Sequence, residues 1–259
     1  MHNSAEQDIK IIIPRRGVND EGKGKKFALH KLISAATTEF VWLQDDDIIP
    51  PPASRNNCHI GDADLYILPL RMESASASPS LLEQLQIAEY AAIQSLTILT
   101  AEQGRAVMCS GANLIVRRSR WLESYPNIHP YIPSGDDMFI LESFKRRGLS
   151  IGVIDKLEYT AIVRPMTSLS SLFRQRMRWA GKAPHYKDID IITCGALVLG
   201  ANILQLLCPL FLLLKFPIDY YLIKKRDPKV SLLVALLLEL IYPYYMLICL
   251  LGGFLRRSW

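Results

Sequence analysis

Cysteine is scarce and unpatterned in this sequence. The five cysteines (Cys58, Cys109, Cys194, Cys208 and Cys249) are odd in number and lack CxxC spacing, which argues against a disulfide framework or a cysteine zinc site. That usage is expected of reduced thiols in a cytoplasmic setting. The opening MHNSAEQDIK has no apolar core, so a secretory signal peptide is not expected there. No GxxxxGK[ST] spacing occurs, so the Gly/Lys-rich stretch before Phe27 is not a Walker loop. No evident His–carboxylate cluster offers a second metal site, which disfavours a metal-dependent phosphohydrolase. Internal repeats are absent, and the only biased tract is an apolar tail. The net charge of +5 comes without interleaved aromatics or a recognition motif, so nucleic acid is not the expected partner.

Apolar residues make up 50% of the chain and concentrate after residue 190. Residues 191–214 carry no charge, and residues 230–255 carry only Glu239. At about 1.5 Å per helical residue, each run is long enough to cross roughly 30 Å of hydrocarbon. Two full crossings would put Lys224-Lys225-Arg226 on the far side, against the positive-inside tendency. A short hairpin broken at Pro209 and Pro217 would instead keep that cluster cytoplasmic. Glu239 is costly in hydrocarbon unless it faces protein or water. Basic residues cluster at 117–120, 145–147 and 174–182, which suits a face meeting anionic headgroups or phosphorylated substrates.

The remaining chain reads as alternating strands and helices. Ile9–Ile13 predicts a buried strand, and a basic turn-rich loop then opens a helix through Phe27, Leu29, Leu32 and Ile33. A Gly/Lys-rich loop at a helix N-terminus is either an anion site or a solvated connection. Phe40–Gln44 predicts a strand that runs into Asp45-Asp46-Asp47. Ligands of open α/β sheets bind at carboxyl strand ends, and adjacent carboxylates favour a cation among them. The alternative is an acidic turn stopped by the prolines that follow. Strands are also expected over 63–70, in two pieces around Gly111-Ala112-Asn113, and over 151–154. Ser80 and Glu83 form a capping box for a long helix ending near Gly104. A further helix begins after Ser134-Gly135 with Asp136 and Asp137, which complement its dipole whatever else they do. Arg174-Gln175-Arg176-Met177-Arg178-Trp179 lies on an amphipathic stretch. It is either an interfacial helix or a set of forks for an anion with a ring for a sugar.

Taken in order, these pieces resemble the membrane-bound family 2 glycosyltransferases, including the cellulose- and hyaluronan-synthase-like enzymes. The matching residues are Gly24-Lys25-Lys26-Phe27-Ala28-Leu29, the strand ending in Asp45-Asp46-Asp47, Ser110-Gly111-Ala112-Asn113 with Arg117-Arg118, Gly135-Asp136-Asp137, and Gln175 to Trp179 before an apolar tail. The resemblance implies an α/β fold of the GT-A type, a Rossmann-like mixed sheet with flanking helices, followed by carboxy-terminal transmembrane helices. It implies a truncated catalytic domain over 1–165, an interfacial segment over 166–190 and a membrane region of two or three helical segments over 191–259. Asp45 and Asp47 then look like the pair holding Mg²⁺ or Mn²⁺, and Asp137 like the general base. Lys25 and Asp136 are expected near the donor, Gln175 and Arg178 at the diphosphate and acceptor, and Trp179 stacked at the acceptor end. The implied partners are a UDP- or GDP-linked sugar donor, a lipid-linked or glycan acceptor, and the membrane. The implied location is the inner cell membrane, crossed more than once, with the catalytic domain cytoplasmic. The family has a further strand-helix-strand section ahead of the part matched here, so a non-catalytic anchored fragment or assembly module is the alternative expectation.

Overall fold

In the computed structural model, residues 8–15, 24–55, 58, 60–129 and 135–255 are described. The chain forms two compact units: Met1–Leu70 with Thr97–Val163, and Arg71–Leu96 with Arg164–Trp259.

The first unit is built on a five-stranded mixed sheet of order β1-β2-β5-β3-β6. Its strands are β1 (Ile9–Ile12), β2 (Phe40–Gln44), β3 (Leu65–Ile67), β5 (Asn113–Arg117) and β6 (Ile151–Val153), while β4 (Leu70–Met72) and β7 (Ala161–Val163) lie outside this sheet. All residues of β2 are buried, as its unbroken apolar run requires of a strand covered on both faces. β2 pairs in parallel with β1 (Ile9 opposite Phe40) and antiparallel with β5 (Gln44 opposite Asn113). Helices α1 (Lys25–Ser34), α3 (Arg118–Ser124) and α4 (Asp136–Arg146) belong to the same unit. Leu29 and Ile33 of α1, Trp121 of α3 and Phe144 of α4 are fully buried.

Beneath the sheet, Trp42 stacks on Tyr159 at 5.7 Å between ring centroids. The Trp42 indole N–H donates to Asn113 Oδ1 at 2.8 Å, and Asn113 Nδ2 donates to the Pro69 and Tyr159 carbonyls, each at 2.8 Å. Asn113 is thus a buried polar tie with both ends of its amide engaged. The strand expected over 63–70 divides at Leu68-Pro69, because Pro69 has no N–H for the ladder. Of the two pieces expected around Gly111, only the second forms. The chain turns at 110–113, where the Asn113 N–H reaches the Ser110 carbonyl at 3.1 Å.

The second unit is helical. α2 (Leu81–Glu102), which belongs to it as far as Leu96, starts with a reciprocal capping box: Ser80 N–H donates to Glu83 Oε2 at 2.8 Å, and Glu83 N–H to Ser80 Oγ at 3.3 Å. α5 (Leu169–Ala180) is capped by Ser168, and α6 (Ile189–Leu207) by Asp188. The uncharged run breaks at Cys208, since a residue before proline avoids the helical region, and α7 (Leu212–Arg226) follows. Pro217 is accommodated inside α7 and does not break it. α8 (Leu232–Leu255) closes the described chain. α6 and α8 are long and apolar enough to cross a membrane, with mean hydropathy of 1.8 and 2.1. Glu239 of α8 is buried against Lys215 of α7, which also holds Asp219 at 2.8 Å, so its charge is paired. Ala88 and Ala91 of α2 pack with Ile223 of α7 and with Val234, Ala235 and Leu238 of α8.

Candidate active site

The carboxyl end of β2 delivers Asp45 as the strand leaves the buried Gln44. The turn that follows is pinned where Ile49 and Ile162 exchange backbone hydrogen bonds of 2.9 and 3.0 Å. Two helix N-termini arrive at the same place. α1 begins after Gly24, whose φ of 87° suits glycine, and so presents Lys25. α4 begins after Gly135, at φ 80°, with Asp136 and Asp137 in its first turn. Ser134 lies outside the described residues, and Gly135 holds the capping position expected of it.

Lys25 joins the three elements. Its Nζ lies 2.6 Å from Asp45 Oδ1 and 3.4 Å from Asp136 Oδ2. The turn at Gly111 closes the cluster. A Cβ there would stand 2.9 Å from Asp136 Oδ2 and 3.4 Å from Lys25 Nζ, so the close backbone approach requires glycine. Gly111 N–H reaches Asp137 Oδ2 at 3.4 Å, and Met138 N–H donates to Asp137 Oδ1 at 2.8 Å. Cys109 Sγ contributes from below, donating to the Asp137 carbonyl at 3.2 Å.

The electrostatics follow from burial and charge. Burial opposes the Lys25 ammonium, but Asp136 and then Asp45 outweigh it and hold the amine well above its ordinary pKa. Burial pushes the Asp45 carboxyl up; Lys25 pulls it back, and the charges of Asp136 and Asp47 add to the rise. Burial, with Asp137 and Asp136 nearby, pushes the Cys109 thiol well above its usual range, so this cysteine is no nucleophile.

The carboxylates here are hard oxygen donors of the kind a divalent cation takes. Lys25 bonds one oxygen of Asp45, and Asp47 is exposed with no ion-pair partner among the described residues. The described residues contain no group of three or more His, Cys, Asp or Glu arranged to ligate a metal. A site of two hard carboxylates completed by substrate phosphates is the arrangement Mg²⁺ favours.

Gln175, Arg178 and Trp179 lie on α5, in the second unit. Gln175 is half-buried and accepts from Arg176 Nη1 at 2.6 Å through its Oε1. Arg178 is exposed, with no hydrogen bond or ion pair among the described residues. The Trp179 ring lies under the Arg176 guanidinium, 4.2 Å from its carbon. Arg117, part of an expected anion-binding cluster, instead serves the sheet, bound to Glu39, Asp62 and Asp64. Arg118 donates at 2.9 Å to each of the Ile33 and Ser34 carbonyls. Arg176, expected with its neighbours to offer a fork to an anion, instead gives that fork to Glu89, 87 positions away in the chain, and is buried.

No curated protein matches the chain. One solved structure, titled "Crystal Structure of a Mycobacterial Protein", is similar at 16% identity and a TM-score of 0.29. That match covers 62% of this chain and half, 50%, of that one. A sequence model of the family described as "Glycosyltransferase like family 2" matches residues 5–182, which takes in the Asp45, Asp136 and Asp137 cluster and the whole of α5. The chain belongs to this glycosyltransferase-like family 2.

Proposed function

We propose that the protein transfers a sugar from a UDP- or GDP-linked donor to a lipid-linked or polysaccharide acceptor, inverting the anomeric centre, at the cytoplasmic face of a cell membrane. The observation that carries this reading is the meeting of Asp45, Lys25, Asp136 and Asp137 at the carboxyl end of a central strand. Asp137 is the base. Gly111 and Met138 N–H groups orient its carboxylate, which takes the proton of the acceptor hydroxyl as that oxygen attacks the anomeric carbon. The bond to the donor diphosphate breaks in the same displacement. Lys25, held charged by its two carboxylates, fixes the geometry of Asp45 and Asp136. Asp45 and Asp47 would hold Mg²⁺ or Mn²⁺, which supplies positive charge to the leaving diphosphate. Gln175 and Arg178 are assigned to diphosphate and acceptor contacts. The exposed guanidinium of Arg178 suits an anion, and Trp179 offers a flat ring to a sugar. The apolar helices α6 and α8 suit an acceptor made at a membrane.

Titration calorimetry of the detergent-purified chain with UDP or GDP and Mn²⁺ tests this reading. Metal-dependent binding is expected, lost in Asp45→Ala/Asp47→Ala and retained in Asp137→Asn, while Asp137→Asn abolishes transfer. Binding that survives the double alanine change would remove Asp45 and Asp47 from the donor site. Lost binding in Asp137→Asn would argue against a base at that position.

A further inference from the structure

Arg176 makes more directed contacts than any residue assigned to transfer on α5, although the proposed chemistry does not use it. Its Nε and Nη2 donate to Glu89 Oε1 and Oε2 at 3.2 and 2.7 Å, a two-pronged pair between α5 and α2. Its Nη1 donates to Gln175 Oε1 at 2.6 Å. Its planar face covers the Trp179 ring at 4.2 Å. Both charged partners are nearly sealed from water, Arg176 at 6% and Glu89 at 5% exposure.

We propose that Glu89 and Arg176 form a positioning pair that fixes Gln175 as a hydrogen-bond donor and holds the Trp179 ring in place; the role in transfer rests on the function proposed above. The chemistry of the guanidinium carries the argument. Arginine has donors only, so it can face Gln175 solely through the amide oxygen. With Oε1 engaged, the Gln175 Nε2 hydrogens are the part of the amide left for a substrate, and they suit an acceptor such as a phosphate or sugar oxygen. Glu89 in turn prevents the guanidinium from rotating, because its two oxygens take two edges of the fork. Lysine could not reproduce this, having neither the plane that covers Trp179 nor the fixed fork. Stability alone does not explain the pair either. Replacing a buried ion pair by apolar residues of similar volume is often neutral or stabilising, since desolvating both charges is expensive. What an apolar pair cannot do is orient an amide and a ring.

The test replaces the pair with Glu89→Leu/Arg176→Met in the full chain and introduces Gln175→Ala into both backgrounds. Turnover of nucleotide sugar is measured together with the ¹⁹F spectrum of 5-fluorotryptophan protein, with the Trp179 signal assigned by Trp179→Phe. The apolar pair should keep the melting temperature near that of the parent. Turnover should fall about tenfold to a hundredfold, as for a misplaced contact. Gln175→Ala should then cost little more in that background, and the Trp179 resonance should shift and broaden while those of Trp42 and Trp121 stay put. A full Gln175→Ala penalty in the apolar-pair background, or an unmoved Trp179 signal, overturns the proposal. If the parent transfers no sugar, the proposed function fails, whereas the Trp179 signal still decides whether the pair positions that ring. Should the apolar pair not fold, Arg176→Lys gives the same readouts, since it keeps a charge beside Glu89 but loses the fork.

Discussion

Lys25 is where the chemistry of the first unit converges on one atom. A half-buried ammonium touching two carboxylates serves as an internal counterion for a cluster that would otherwise repel itself. Its amine is held above the ordinary lysine value, so the stabilising contribution of these pairs is complete through neutral pH. That contribution is lost only as pH rises through the folded value, above the roughly 10.4 at which free lysines deprotonate. In protein carrying ¹³Cε-lysine, the Lys25 signal should therefore stay unchanged while surface lysines titrate. Asp136→Asn should bring its transition down, because Asp136 is the largest of the charges sustaining it. A Lys25 signal that titrates with the surface lysines would show that the cluster does not form. Little of this pairing could be read from the sequence. Gly24 marked a turn and Gly111 a close approach, but spacing along the chain cannot say which oxygen an ammonium will touch.

At the scale of elements, the second unit depends on α5 lying tight against α8. The contact is made by glycines: a Cβ on Gly253 would stand 2.8 Å from both Gly181 N and Met177 O, and one on Gly252 would meet the Met177 side chain. Backbone atoms cannot step aside as a flexible side chain can. Gly253→Leu should therefore destabilise by about 1–3 kcal/mol, as overpacking does, and Gly252→Ala by less, since Met177 can change rotamer. Thermal melts of the two variants in detergent check the order; equal melting temperatures would mean the helices are not in contact. Most elements were legible beforehand. The capping box of α2, the apolar run of β2 and the amphipathic stretch of α5 are local signals, and each of these elements formed where its signal lay. The failures were local too. Pro69 divided a strand, and a reverse turn replaced the strand piece before Gly111, because in both places backbone hydrogen-bonding outweighed apolar pattern. The fork of Arg176 was expected to face an anion for a different reason, in that its partner Glu89 lies in another helix, out of reach of any local signal.

On the membrane reading proposed above, the question at the scale of the molecule is where Lys224-Lys225-Arg226 lie. Hydropathy alone allows two full crossings, which would carry this cluster to the side opposite α5. The contacts of α7 argue otherwise. Ser95 Oγ of α2 donates to the Leu222 carbonyl at 2.6 Å, and Ile223 is buried among Ala88 and Ala91 of the same helix. α2 also carries Glu89, paired with Arg176 of α5, along with Gln84, Gln86 and Gln94, so it is too polar to enter hydrocarbon. The basic end of α7 is thus tied to a polar helix that is itself paired with α5, and on the proposed reading all three stay in water or headgroups. That arrangement would follow the tendency of basic residues to remain cytoplasmic, where each would add about 1 kcal/mol of attraction to an anionic surface. In a cysteine-free background, Lys225→Cys and Arg174→Cys should both react with a membrane-impermeant maleimide from the same side of sealed vesicles. Labelling from opposite sides would mean that α6 and α8 cross as two independent spans and that the α2–α7 contact is broken in the bilayer.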